Sequence, residues 1–412
     1  MLIYSTQPVE ADKAQGVRFY RRFLACSFLG ALGDYVTLAA LGWYVVDTID
    51  SAKILGWIFF ARTVPRFFMS FVGGYLADRF DRRLLLLLVY GGLLLATGLQ
   101  LAVIWQINHL HWLFLVGVVF LRNAFDSAEP SIRNAILPDI VPKSEIAKAV
   151  GLYASSLNLA AIVAPLIVGY TMESLGFRRL LFIDMLLQLP AFFILFGIPR
   201  IARDNTEVSN PKPAGYINAL RYINRVPLLK FSLLLSIALM LVLFPFSAMM
   251  PLYIKNHLHW DTRQYGWLSG AESAGAVLSG MLIAKIGSSK LEKAWQWIGL
   301  AACCLLVILS FISNNISVFV IIFLLGLFSQ LFRSISRIRF QLHTPTAIRG
   351  KVMAVIISDS GFVSLGLLIF TQISSLHSIT MAFKIMGIAG LTAILVIYII
   401  AQSRKPSTGN RI

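Results

Sequence analysis

The chain has 412 residues, of which 58% are apolar and only 13% charged, about half the ~25% of an ordinary globular chain. Together with a mean hydropathy of +0.76, this excludes a set of water-soluble domains and predicts a polytopic membrane protein. The net charge of +17 would suit a nucleic acid, but Lys and Arg crowd alternate loops and both termini, the bias of cytoplasmic segments. No nucleic-acid partner is expected, and both termini are placed in the cytoplasm.

Residues 1–17 are polar, and the apolar run that follows is too long for the core of a cleavable signal, so it reads as a first span. Runs of about 20 residues, enough to cross ~30 Å of hydrocarbon, lie near 20–47, 52–77, 83–105, 112–134, 147–172 and 179–198. A second set lies near 229–254, 265–286, 292–313, 316–338, 352–375 and 380–402. The predicted fold is an all-α membrane protein with twelve transmembrane helices in two pseudo-symmetric six-helix halves, residues 1–198 and 229–412. Residues 199–228 link them. Within the linker, AGYINALRYINRVP puts Tyr216, Ile217, Leu220 and Ile223 on one face and Arg221, Asn224 and Arg225 away from it, as in an interfacial amphipathic helix. The halves echo each other. SAEPSIRNAILPDIVP closes the fourth span and LFRSISRIRFQLHTP the tenth, and one shift superposes Glu129 on Arg333 and Arg133 on Arg337. Two such halves are the pattern of secondary transporters that rock around a midplane site.

A charge inside a span costs several kcal/mol unless it faces a partner or a cavity. Arg122, Asp126, Glu129 and Arg133 fall on one face of the fourth span, in an order that allows two i,i+4 pairs. Arg62 and Arg66 flank Pro65 on the second span, and Gln330, Arg333 and Arg337 line the tenth. Arg133 and Arg337, near the cytoplasmic ends, are expected to be structural. Asp34 stands at mid-depth in the first span with no charged neighbour in sequence. Burial disfavours an ionised carboxyl, so Asp34 is the first candidate for taking and releasing a proton, followed by Asp126, Glu129 and Glu272. Asp359 lies two turns inside the eleventh span, with structural and functional readings open. Asp184, nearer the outer end of the sixth, is assigned a structural role.

Cys26, Cys303 and Cys304 sit in apolar runs without metal-ligand spacing. Two His-x-His pairs, His109 with His111 and His257 with His259, are taken as interfacial residues. No metal and no cofactor are expected, and no hydrolase, kinase or metalloprotease motif marks an enzyme.

Residues 73–83 read GGYLADRFDRR. With Gly74, Asp78, Arg79, Arg82 and Arg83 at the turn after the second span, the stretch resembles motif A of the major facilitator superfamily, although Asp81 stands where that motif has glycine. The first span, FLGALGDYVTLAALGWYVVDT, resembles the opening of the enterobactin-exporter and macrolide-efflux branch. In the fifth, Gly151, Ala160, Ala164, Pro165 and Gly169 match the spacing of motif C, associated with exporters, with Ala for Gly at two positions and Val168 for Gly at a third. Arg122 falls where motif B places its arginine, with Asp126 in place of the expected glycine.

The resemblance implies that motif A is a cytoplasmic gate and motif C a helix-packing device. It also implies that spans one, two, four, five, seven, eight, ten and eleven face a central cavity. The expected function is a secondary exporter of an amphipathic organic molecule, driven by proton antiport. Arg62, Arg66, Arg122 and Arg333 would bind an anionic, siderophore-like cargo. Rival readings are a multidrug or macrolide pump, a lysophospholipid transporter, and a membrane sensor that transports nothing. The expected setting is the bacterial inner membrane, as a monomer, with the lipid bilayer and a small-molecule substrate as partners and the proton gradient as energy source.

Overall fold

A computed structural model describes residues 9–66, 68, 69, 72, 76, 80–106, 111–140, 146–197 and 214–403. Among these residues all regular structure is helical. Seven stretches are long and apolar enough to cross a membrane by length and composition alone, and described helices lie in each of the twelve predicted spans.

The first compact unit comprises Met1–Thr48 and Ala61–Val208. Its helices are α1 (Val9–Tyr44), the end of α2 (Ala52–Thr63), α3 (Arg82–Trp105), α4 (Trp112–Ile140) and α5 (Ile146–Ile194). α5 covers the predicted fifth and sixth spans and is interrupted at Gly176, whose φ of 71° and ψ of 163° break the helical path. Between α2 and α3 the chain turns at Asp81. Its carboxylate accepts from the N–H groups of Arg83 (2.8 Å) and Leu84 (3.2 Å), satisfying donors that a helix start leaves open. Its φ is −58°, so this position needs no glycine, and an aspartate there gains a capping role.

The second unit comprises Ile49–Phe60 and Ser209–Ile412, so the first half of the second span groups with the C-terminal half. It contains α6 (Ala214–Arg225), α7 (Pro227–Val242), α8 (Thr262–Ile286), α9 (Trp295–Leu309) and α10 (Asn315–Leu342). The eleventh span is split into α11 (Thr346–Ile357) and α12 (Phe362–Leu376) by a tight 3-10 turn at Ser358–Gly361, and α13 (Ile379–Ser403) closes the chain. α8 opens on a reciprocal cap in which Asp261 accepts from Gln264 N–H and the Gln264 side chain accepts from Asp261 N–H.

The amphipathic linker helix is present but turned. Ala219 and Ile223 are buried against Phe340, Val352 and Ile356, while Leu220 is 48% exposed. A protein surface rather than lipid alone selects its apolar stripe, so Leu220 does not share the covered face with Ile223 as the periodicity suggested.

Both halves of the sequence repeat one local device. Tyr44 and Tyr253 precede a wide π turn, Val45–Ile49 and Ile254–Leu258 respectively. Each turn is followed by a residue with positive φ, Asp50 at 51° and His259 at 55°. The same numerical offset relates both pairs, which adds backbone geometry to the weak sequence echo.

In the second unit α8 and α10 touch through two glycines. A Cβ on Gly326 would strike the Glu272 carbonyl oxygen and come within 2.8 Å of its carbon. A Cβ on Gly275 would strike the Phe323 carbonyl oxygen and approach Leu327 N to 2.9 Å. Gly326→Ala should therefore force the helices apart, costing about 1–3 kcal/mol as overpacking. Gly280→Ala, with nothing within 4 Å, should be close to neutral. Thermal midpoints of the two purified variants check this; equal midpoints would contradict the contact.

Candidate functional site

The first unit concentrates charge where an apolar core would be expected. Asp34 on α1 and Asp184 in the later half of α5 are neighbours because Gly33 has no side chain. A Cβ there would overlap the Asp184 carboxylate and lie 3.2 Å from its Cα. Arg122 of α4 joins them, its Nη1 lying 2.9 Å from Asp34 Oδ1 and its Nη2 donating to Asp184 Oδ2 at 2.7 Å. The remaining Arg122 nitrogen, Nε, donates to Thr97 Oγ1 at 3.2 Å. Arg62 donates to the second Asp34 oxygen at 2.9 Å. Thr37 and Gln188 donate to the two oxygens of Asp184, at 2.8 and 2.9 Å.

Two arginines and two carboxylates are thus paired and hydrogen-bonded, which is what allows buried charge at all. Exposure grades across the network: the Asp184 side chain is 0% exposed, Arg122 3%, Arg62 10% and Asp34 21%. Asp34 is the member within reach of solvent.

Beside it, Arg66 approaches Asp126 at 3.9 Å, with side chains 56% and 34% exposed. Further along α4, Arg133 Nε lies 3.0 Å from Glu129 Oε1, the predicted i,i+4 pair. The Tyr90 and Tyr153 hydroxyls donate to the Glu129 carboxylate over 3.5 Å each, and the Arg133 guanidinium sits 3.4 Å over the Tyr153 ring. Arg133 therefore fits its structural assignment, and Glu129 is bound into the same cluster.

Two readings change. Asp34 is isolated only in sequence; in space it bridges two arginines. Arg122 does not form the expected pair with Asp126, because all three of its nitrogens reach other helices instead. Asp184, assigned a structural role, is the most buried carboxylate of the network. Its signal was Gln188, a polar residue four positions on in an otherwise apolar run, but no sequence rule paired it with Arg122.

In the second unit Arg333 donates to Gln330 Oε1 at 2.5 Å and lies 5.5 Å over the Phe244 ring. Ser247 hydrogen-bonds Glu272, on which Arg333 also acts electrostatically. Asp359 is 3% exposed and accepts from Ser236.

Of the gating residues, Gly74, Asp78 and Arg79 lie outside the described residues. Arg82 opens α3, and Arg83 donates to the Phe196 carbonyl at 2.8 Å, tying the start of α3 to the end of the sixth span. Of the packing residues, Ala160 and Ala164 are fully buried, as is Val168. Gly169 is buried too, and Pro165 lies within α5. Gly151 differs: a Cβ there would meet nothing within 4 Å, so its small size serves no close contact in this conformation.

Known proteins share this architecture. The family model described as Major Facilitator Superfamily matches residues 23–358, and again 233–411. The staphyloferrin A transporter of Staphylococcus aureus is 25% identical over 398 residues, covering 93% of this chain and 96% of that one. The multidrug efflux pump Tap of Mycobacterium tuberculosis is 24% identical over 404 residues, covering 90% and 91%. Among solved structures, the nucleoside transporter NupG superposes with a TM-score of 0.74 at 13% identity, covering 94% of this chain and 100% of that one.

Proposed function

Because the chain belongs to the major facilitator superfamily, and so has the fold of membrane transporters rather than of enzymes, we propose that it exports an amphipathic organic molecule in exchange for protons. The observation that carries this is the Asp34 carboxylate, shared between Arg62 and Arg122 and the most exposed member of a buried, charge-balanced network. A proton added there removes one negative charge from a set that has no spare anion to replace it. Arg62 and Arg122 must then find new partners, and a helix arrangement that depended on the old ones gives way. The setting is the bacterial cytoplasmic membrane, with the protein acting as a monomer on the proton gradient alone.

For cargo, a molecule with anionic groups remains the first reading, supported by the similarity to the staphyloferrin A transporter. Arg333 of α10, over the Phe244 ring, is kept as an anion contact. One observation favours a second reading. Arg62 and Arg122 are occupied by carboxylates, so their network presents no net positive charge, and a neutral or cationic drug-like cargo suits it better.

The test is twofold. Antiport requires that proton and cargo oppose each other's binding, and linkage makes that reciprocal. Cargo affinity of the purified protein should therefore fall on acidification, and vesicles with an acidic interior should accumulate cargo. Affinity that rises on acidification would mean symport and overturn the proposal. Arg333→Gln should cost at least about tenfold, or roughly 1.4 kcal/mol, on staphyloferrin A and little on a neutral macrolide; equal losses would favour the drug reading.

A further inference from the structure

The proposed mechanism leaves one buried carboxylate of the second unit unused. Asp359 sits in the 3-10 turn that separates α11 from α12 and is 3% exposed. Its Oδ2 accepts from Ser236 of α7 at 2.5 Å, and Ser336 of α10 donates to the Ser236 oxygen at 3.4 Å. Both serines are buried. Oδ1 makes no hydrogen bond of good geometry among the described residues, although the Ser360 N–H acts on the carboxyl from nearby, and Asp359 forms no ion pair among them. Its surroundings hold few charges. Arg333 and Arg337 of α10 act on it from beyond ion-pair distance. α7 carries Lys230 near its start, α11 carries Arg349 and Lys351 near its own, and α12 carries no titratable group.

We propose that Asp359 is a second proton-binding site, reached through the hydroxyls of Ser336 and Ser236, so that the second unit carries a proton of its own.

An ionised carboxylate with one poorly bonded oxygen is costly away from water and ion partners. With the proton on Oδ2, the contact to Ser236 survives with its direction reversed, because the carboxyl O–H now donates to the Ser236 oxygen. Oδ1 becomes a carbonyl oxygen, for which a missing hydrogen bond is far cheaper than for a charged one. The hydroxyl pair supplies a route. A proton arriving at the Ser336 oxygen releases that residue's own hydrogen to Ser236, and Ser236 passes its hydrogen to Asp359. One O–H bond forms on the carboxyl, both serines end as they began, and one proton has been gained.

The location gives the step a mechanical outlet. A 3-10 segment within a long helix marks a hinge, and here it spans Ser358–Gly361. If movement at the hinge brings Arg333 or Arg337 to the carboxyl, the proton leaves and an ion pair replaces it. Where Asp34 works by breaking a pair, Asp359 would work by making one.

Although a two-proton cycle rests on the antiport reading, the site itself is tested without transport, by infrared spectroscopy of the purified full chain across a pH series. The wild type should show a protonated-carboxyl C=O band that Asp359→Asn removes and Asp34→Asn leaves in place. Ser236→Ala, which alters no charge, should keep the band and move it to higher frequency, since its hydrogen bond is gone. A spectrum unchanged by Asp359→Asn, or a band indifferent to Ser236→Ala, would overturn the proposal. So would a band that responds to sodium at fixed pH, which would make this a metal-cation site. Failure of pH-driven transport with the band intact would remove the antiport reading and leave Asp359 as a proton site.

Discussion

Asp34→Asn should abolish uphill, pH-driven export in reconstituted vesicles while cargo still binds, with the weaker and now pH-independent affinity of the proton-loaded state, and still exchanges down its gradient. The amide keeps the size of the carboxyl and can accept from one arginine, but it carries no charge and cannot cycle a proton. Arg62 and Arg122 lie 2.9 Å from the two Asp34 oxygens, so the substitution holds the network permanently in its proton-loaded condition. Uphill flux should fall at least about a hundredfold, the equivalent of roughly 2.7 kcal/mol of lost coupling. Counterflow of labelled cargo, which needs no gradient, should persist. Undiminished uphill export by this variant would move the coupling role to Asp126 or Glu129.

Arg122→Ala should behave differently, because it removes the centre of the network. Asp34 loses one of its two arginines and Asp184, fully buried, loses its cation altogether. Removing one partner of a buried pair costs about 3–5 kcal/mol, whereas replacing the whole set by apolar residues is often neutral. The single variant should express poorly and lose binding of every cargo alike. Arg122→Met combined with Asp184→Leu should recover monodisperse protein in detergent without recovering transport. If the single variant is as stable as the wild type, the pairing described here does not hold the fold together. If the double variant remains unfolded, packing rather than charge is the reason for Arg122.

The span pattern was legible because bilayer thickness imposes one length on every crossing, and the run from Trp112 or from Asn315 shows it directly. Charge partners were not legible in the same way. Periodicity relates residues on one helix, and it did find Glu129 with Arg133. It cannot say that Arg122 passes over Asp126 to meet Asp34 and Asp184 on two other helices. That pairing depends on how closely α1 approaches α5, which Gly33 decides through the absence of a side chain. The linker helix shows the same limit, since its apolar residues fit two faces and only the surface formed by Phe340, Val352 and Ile356 selects between them. Asp81 was read as a departure from a pattern, whereas the start of α3 uses it as a cap.

The balance of charge in the first unit bears on the membrane potential. Arg62, Arg66 and Arg122 stand against Asp34, Asp126 and Asp184, and Glu129 against Arg133. A group of zero net charge moves through an electric field without exchanging energy with it. Protonation of Asp34 leaves the same group at plus one, and a unit charge crossing the whole field gains or loses about 2.3 kcal/mol per 100 mV. On the antiport proposal, the leg that carries the proton inward would be driven by a negative cell interior, while on the return leg this part of the protein would add no charge to that of the cargo. Voltage would therefore act on this part of the molecule as a rectifier, accelerating one direction of its movement without slowing the other.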